Sequence, residues 1–138
     1  MGSETGDRRQ ATGDGQFRKG ADIAQRLLDF AVVSLKLAAR LPRDLAGRHV
    51  ASQWIRSATG AGANYEEARA AESRADFIHK VGVAAKEMRE ACYWLALVGA
   101  TRMLEGVSSA LMTEGRELTA ILAASARTAR SHARQDAA

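Results

Sequence analysis

Three histidines lie within reach of arginines along the chain: Arg74 with His79, Arg43 with His49 and Arg127 with His132. An Arg and a His four to six residues apart is the arrangement of helical toxin-type ribonucleases, so cleavage of RNA is the enzymatic alternative. All three histidines match in a chain with 20 lysines and arginines, which leaves the pattern little discriminating power.

Other chemistry is weaker still. Glu66 and Glu67 are adjacent, and adjacent helical residues point about 100 degrees apart, so they cannot act as one acid/base pair. Asp76-x-x-His79 stands alone, whereas a di-metal bundle needs two Glu-x-x-His motifs and two further glutamates. No metal or cofactor is therefore expected. Cys92, the single cysteine, falls on an apolar helical face without a histidine nearby in sequence, and reads as a small core residue. Glu87 and Glu90 share a face with Lys80, Lys86 and Arg89 around them, as on a solvated, salt-bridged surface. Gly60-Ala61-Gly62 lacks both a preceding strand and a following Gly-Lys-Ser/Thr, which argues against a phosphate loop.

The elements that must carry these residues are helical. The 138 residues suit one domain, and a single proline with 5% aromatic content favours an all-α fold. Residues 1–20 hold five of the 12 glycines and read as a disordered polar tail. From residue 21, Ile23, Leu27, Phe30, Leu37 and Leu41 form an apolar stripe, broadened by Leu28, Ala31, Leu35 and Ala38, before Pro42 ends the helix. Asp44 is the N-cap expected for a second helix through Val50, Trp54, Ile55, Ala58, Ala61, Tyr65 and Ala68.

Ser73-Arg74-Ala75-Asp76 resembles a capping box opening a third helix, predicted to end near Gly99. Within it Phe77, Val81, Ala84, Met88, Ala91, Leu95 and Val98 alternate four and three apart, a coiled-coil-like seam. A fourth helix is predicted from Ser108 or Ser109, with Leu111, Leu118, Ile121 and Leu122 inward. Residues 127–138 then form a basic tail. Short connections give an antiparallel up-down-up-down four-helix bundle over 21–126. Gly60 and Gly62 together cost the second helix about 2 kcal/mol relative to alanine, and close approach of another helix, from the same chain or a second copy, is the offset expected.

The chain resembles the bacterial four-helix bundle family that includes the 23S rRNA intervening-sequence proteins. The resemblance rests on Leu41-Pro42, Gln53 with Arg56-Ser57, Asn64 with Glu67, Asp76 through Lys80, Ala84 with Glu87, Trp94-Leu95, and Glu114 with Glu117-Leu118. It spans residues 21 to about 125, and departs at Ala68, where many members have glycine. The family is similar in fold to accessory proteins of diversity-generating retroelements. The resemblance implies a homo-oligomeric, pentameric helical barrel without enzymatic activity, whose partners are copies of itself and RNA or a reverse transcriptase.

Two sets of site residues follow. Glu114 falls in the apolar seam of the fourth helix, where an unpaired charge is costly, and Arg56 and Asn64, with Ser57 near them, are its expected partners. With Glu67, these form a candidate structural polar network. The formal charge of +4 is concentrated early: Arg26, Lys36, Arg40, Arg43, Arg48 and Arg56 stand against Asp29 and Asp44. The first five are candidate nucleic-acid contacts, which a ring assembly would repeat into a basic surface. No exposed aromatic set for base stacking is visible along the chain.

The polar N-terminus lacks a signal-peptide core, and no apolar run reaches the length of a membrane span, so a cytoplasmic protein is expected. The function anticipated is a non-enzymatic, self-associating accessory or scaffold that binds nucleic acid or a nucleic-acid enzyme, with a protein-only adaptor as a further alternative.

Overall fold

The computed structural model describes residues 7–137, with side chains from residue 19 onward. It contains four helices: α1 (Asp7–Ala38), α2 (Leu45–Arg69), α3 (Arg74–Thr101) and α4 (Ser109–Ala137). No strand occurs among the described residues. The helices pack in chain order around one core, α1 on α2, α2 on α3 and α3 on α4, with a thinner seam between α1 and α4.

Each helix end has a local cause. Pro42 lacks an N–H, and α1 tightens before it through Arg40 N–H to the Leu37 carbonyl and Leu41 N–H to that of Ala38. The Asp44 carboxylate caps α2 by accepting from Gly47 N–H at 2.8 Å. Ser73 Oγ accepts from Asp76 N–H at 3.1 Å and starts α3. Arg102 ends α3 in the left-handed region at φ 56°, the one non-glycine residue with positive φ among those described.

The α3 seam buries as its spacing predicts. Val81, Ala84, Met88, Ala91, Leu95 and Val98 are all buried, with Phe77 packed at the edge. Opposite them lie Leu27, Phe30, Trp54, Ala58, Ala61, Leu118 and Leu122. Burial of this apolar surface, at roughly 25 cal/mol per Å², is the main stabilising term. Two buried polar atoms, Ser34 Oγ and Trp54 Nε1, have no hydrogen-bond partner among the described residues.

The helices overrun the expected domain limits. α1 begins at Asp7, inside the segment anticipated as a disordered tail, while residues 1–6 lie outside the described residues. α4 continues to Ala137 through the anticipated basic tail, because its Ala- and Arg-rich sequence favours helix and Arg74 pairs with Asp136 across to α3.

The apolar stripe of α1 is wider than the core it faces. Leu28 and Leu35, expected inside, are 56% and 40% exposed, and Val32 beside them is 41% exposed. These side chains line an open apolar groove whose other wall is α2, at Thr59, Gly62 and Ala63.

The glycines divide by what surrounds them. A Cβ on Gly62 would lie 3.6 Å from Leu27 Cβ, an ordinary contact, and one on Gly60 would lie 3.4 Å from the Glu87 side chain. The core therefore does not require glycine at 62. Gly47 is different, since a Cβ there would lie 1.9 Å from the Pro42 carbonyl oxygen, and on Gly115 one would meet Cys92 Sγ at 2.8 Å and Phe30 at 3.0 Å.

Candidate functional site

The polar residues singled out in the sequence form separate contacts instead of one network. Glu114 pairs with α1, not α2: Arg26 Nε donates to Glu114 Oε2 at 3.0 Å and Arg26 Nη2 to Oε1 at 2.5 Å, while Glu117 stands 3.1 Å from the same guanidinium. Arg26, one of the five candidate nucleic-acid contacts, thus bridges the α1–α4 seam and does not present an unpaired guanidinium. The bidentate hydrogen bond from Arg26 holds the Glu114 carboxyl below the usual carboxylate range, against a smaller opposing effect of burial.

Arg56, the partner expected for Glu114, crosses instead to α3. Its guanidinium reaches Glu87 at 3.2 Å and also Glu90. Glu90 accepts in turn from the Trp94 indole N–H at 3.3 Å. The hydrogen bond from Arg56 lowers the Glu90 carboxyl, with Trp94 assisting. Ser57 Oγ donates within its own helix to the Gln53 and Trp54 carbonyls, and Asn64 Nδ2 to that of Gly60. Both satisfy themselves locally, which removes them as partners for a distant carboxylate. Glu67 meets Lys80 at 2.5 Å on the surface.

The other four basic candidates keep free head groups. Lys36, Arg40, Arg43 and Arg48 are all exposed, and no carboxylate reaches them among the described residues. They fall along the C-terminal end of α1, the connecting turn and the first turns of α2.

None of the Arg–His spacings becomes a hydrogen-bonded pair. His49, His79 and His132 are exposed, Arg74 engages Asp136, and His49 packs edge-on against Trp94. Cys92 is half-buried, and burial pushes its thiol up, away from the thiolate a nucleophile needs. No group of three or more His, Cys, Asp or Glu residues gathers as a metal site among the described residues. Among them, too, no helix is long and apolar enough to cross a membrane.

One feature lies outside the sequence expectations. Tyr93, Trp94 and His49 form a ring cluster on the α2–α3 face, with centroid separations of 5.1 Å for Tyr93–Trp94 and 5.7 Å for His49–Trp94, both edge-to-face. Tyr93 is 59% exposed. The signal was present only as two aromatic residues in succession, and His49 joins them from another helix.

The bundle and its interhelical ion pairs belong to a definable class. A sequence model of the 23S rRNA-intervening sequence proteins matches residues 19–124, and the chain belongs to that family. A solved structure is similar: a protein of unknown function from the S23 ribosomal protein family of Bacteroides thetaiotaomicron VPI-5482, determined at 1.70 Å. It is 32% identical, with a TM-score of 0.69, covering 79% of this chain and 98% of that one. No curated protein matches the chain.

Proposed function

We propose that this chain is a non-enzymatic, self-associating bundle of up-down-up-down topology that binds RNA, or an enzyme acting on nucleic acid, as an accessory or scaffold. The observation that carries self-association is the uncovered apolar face of α1, where Leu28, Val32 and Leu35 line a groove completed by Gly62 and Ala63. A contiguous apolar surface of this kind marks an interaction site, and the small residues of α2 leave room for a helix of a second copy. A pentameric ring in the cytoplasm is the assembly we propose. Lys36, Arg40, Arg43 and Arg48, repeated around such a ring, supply the charge for phosphate binding.

Light scattering on the purified protein tests the first part. The parent is expected to have a mass several times that of the 14.8 kDa chain, and Leu28→Glu to have the mass of a monomer with its helicity retained. A monomeric parent at micromolar concentration refutes self-association. Filter binding to structured RNA tests the second part. Affinity is expected to fall steeply with salt, and Arg43→Ala with Arg48→Ala to reduce that slope. Binding no stronger than to a neutral polymer refutes it.

A further inference from the structure

The ring cluster of Tyr93, Trp94 and His49 joins α2 to α3. We propose that Tyr93, Trp94 and His49 bind single-stranded nucleic acid by stacking, with Arg89 and Lys86 contacting its phosphates. The inference rests on the nucleic-acid reading above and locates a second, chemically distinct part of it.

Exposure alone is a weak indication, since single apolar side chains on surfaces are common. Here three rings are held together. Tyr93 and His49 each meet Trp94 edge-to-face, at 76° and 78°. The indole is held further by its N–H bond to Glu90, which Arg56 anchors to α2. A ligand meeting such a set finds rings already oriented, so less conformational freedom is lost on binding.

The surrounding charge selects the ligand. Arg89 and Lys86 precede Tyr93 by four and seven residues, placing all three along one helix face. Both cations are exposed, and neither has a carboxylate partner among the described residues. The nearest acids in sequence, Glu87 and Glu90, are occupied by Arg56.

Exposed aromatic rings beside uncompensated cations are the combination that binds single strands, where bases stack and phosphates follow the positive groups. An apolar protein partner would have to desolvate both cations, which disfavours it. The apolar groove proposed for a second copy is a different face, between α1 and α2.

Tryptophan emission with poly(U), and with the poly(A)·poly(U) duplex as comparison, tests the assignment on the full chain. Trp54 is fully buried and Trp94 is not, so poly(U) is expected to quench the parent and to have little effect on Trp94→Phe. Tyr93→Ala is expected to weaken poly(U) binding about five- to hundred-fold with an unchanged salt slope, and Tyr93→Phe to restore it. Lys86→Ala with Arg89→Ala should instead flatten the slope, by about 0.7 per lost contact. Duplex affinity should be insensitive to Tyr93→Ala.

Parent-like poly(U) affinity in Tyr93→Ala overturns the stacking assignment while leaving nucleic-acid binding intact. A Tyr93→Ala protein with altered assembly mass but parent-like poly(U) affinity also overturns it, and reassigns the patch to a contact between copies. If neither polymer binds the parent at low salt, the underlying nucleic-acid reading fails as well.

Discussion

The same substitution, glycine to alanine, should have opposite effects at two positions fifteen residues apart in α2. At Gly47 the added Cβ would sit 1.9 Å from the Pro42 carbonyl oxygen. Contacts of real Cβ atoms essentially never fall below 3.0 Å, so the backbone must move by more than an ångström. That movement separates the turn from the first turn of α2 and disturbs the cap in which Asp44 accepts from Gly47 N–H. Loss of an N-cap costs about 1 kcal/mol, and overpacking against a rigid backbone adds about 1–3 kcal/mol.

Against this, alanine gains about 1 kcal/mol of helix propensity. The net expectation for Gly47→Ala is a destabilisation of about 1–3 kcal/mol. At Gly62 the new methyl meets Leu27 at 3.6 Å, an ordinary contact, so the propensity gain of about 1 kcal/mol stands alone. Urea unfolding followed by circular dichroism, at a concentration low enough to keep the chain monomeric, measures both. If Gly47→Ala is as stable as the parent, or if Gly62→Ala unfolds first, the packing described around these glycines is wrong. At high concentration Gly62→Ala carries a second readout, because a methyl in the groove should weaken self-association.

Three further outcomes follow from the same geometry. Ser34→Ala removes a fully buried hydroxyl that has no partner among the described residues, so stability should hold or rise by up to about 1 kcal/mol in urea unfolding; a loss above that would reveal a bond made by the hydroxyl. Arg102→Gly relieves a left-handed helix cap and should raise stability by about 1 kcal/mol, read as a rise of a few degrees in Tm. Glu114→Gln should cost about 1 kcal/mol at pH 7, discounted because both partners in the ion pair are roughly a third exposed. Since folding depresses the Glu114 carboxyl, its contribution is present above the unfolded value of about 4.3 and disappears as pH falls through the lower folded value. The difference between Glu114→Gln and the parent should therefore shrink in urea titrations below pH 4.

The α3 seam could be read from spacing alone, because one helix face explains Val81 through Val98 without reference to any neighbour. The caps at Asp44 and Ser73 were equally legible, being bonds across three residues of continuous chain. Contacts between helices were not. Whether Glu114 meets Arg26 or Arg56 depends on which faces adjoin, and periodicity fixes only which residues share a face. Leu28 and Leu35 fit the apolar pattern of α1, yet the pattern carries no mark separating the chain's own core from an uncovered surface. Gly60 and Gly62 are visible as a pair within a helical stretch, whereas Gly47, the tighter position, depends on where the Pro42 carbonyl points. The ring cluster depends similarly on bringing His49 of α2 to Trp94 of α3.

The thin seam between α1 and α4 has a kinetic consequence. α1 adjoins α2 broadly but meets α4 in few places, chiefly the Arg26 pairs with Glu114 and Glu117 and the close passage of Phe30 over Gly115. Amide hydrogens of α1 should therefore exchange with solvent ahead of those in α2 and α3, with α2, α3 and α4 persisting as one cooperative unit. A first helix that opens separately can also close onto the α2 of a neighbouring molecule, so domain exchange and simple docking become alternative routes to the same assembly.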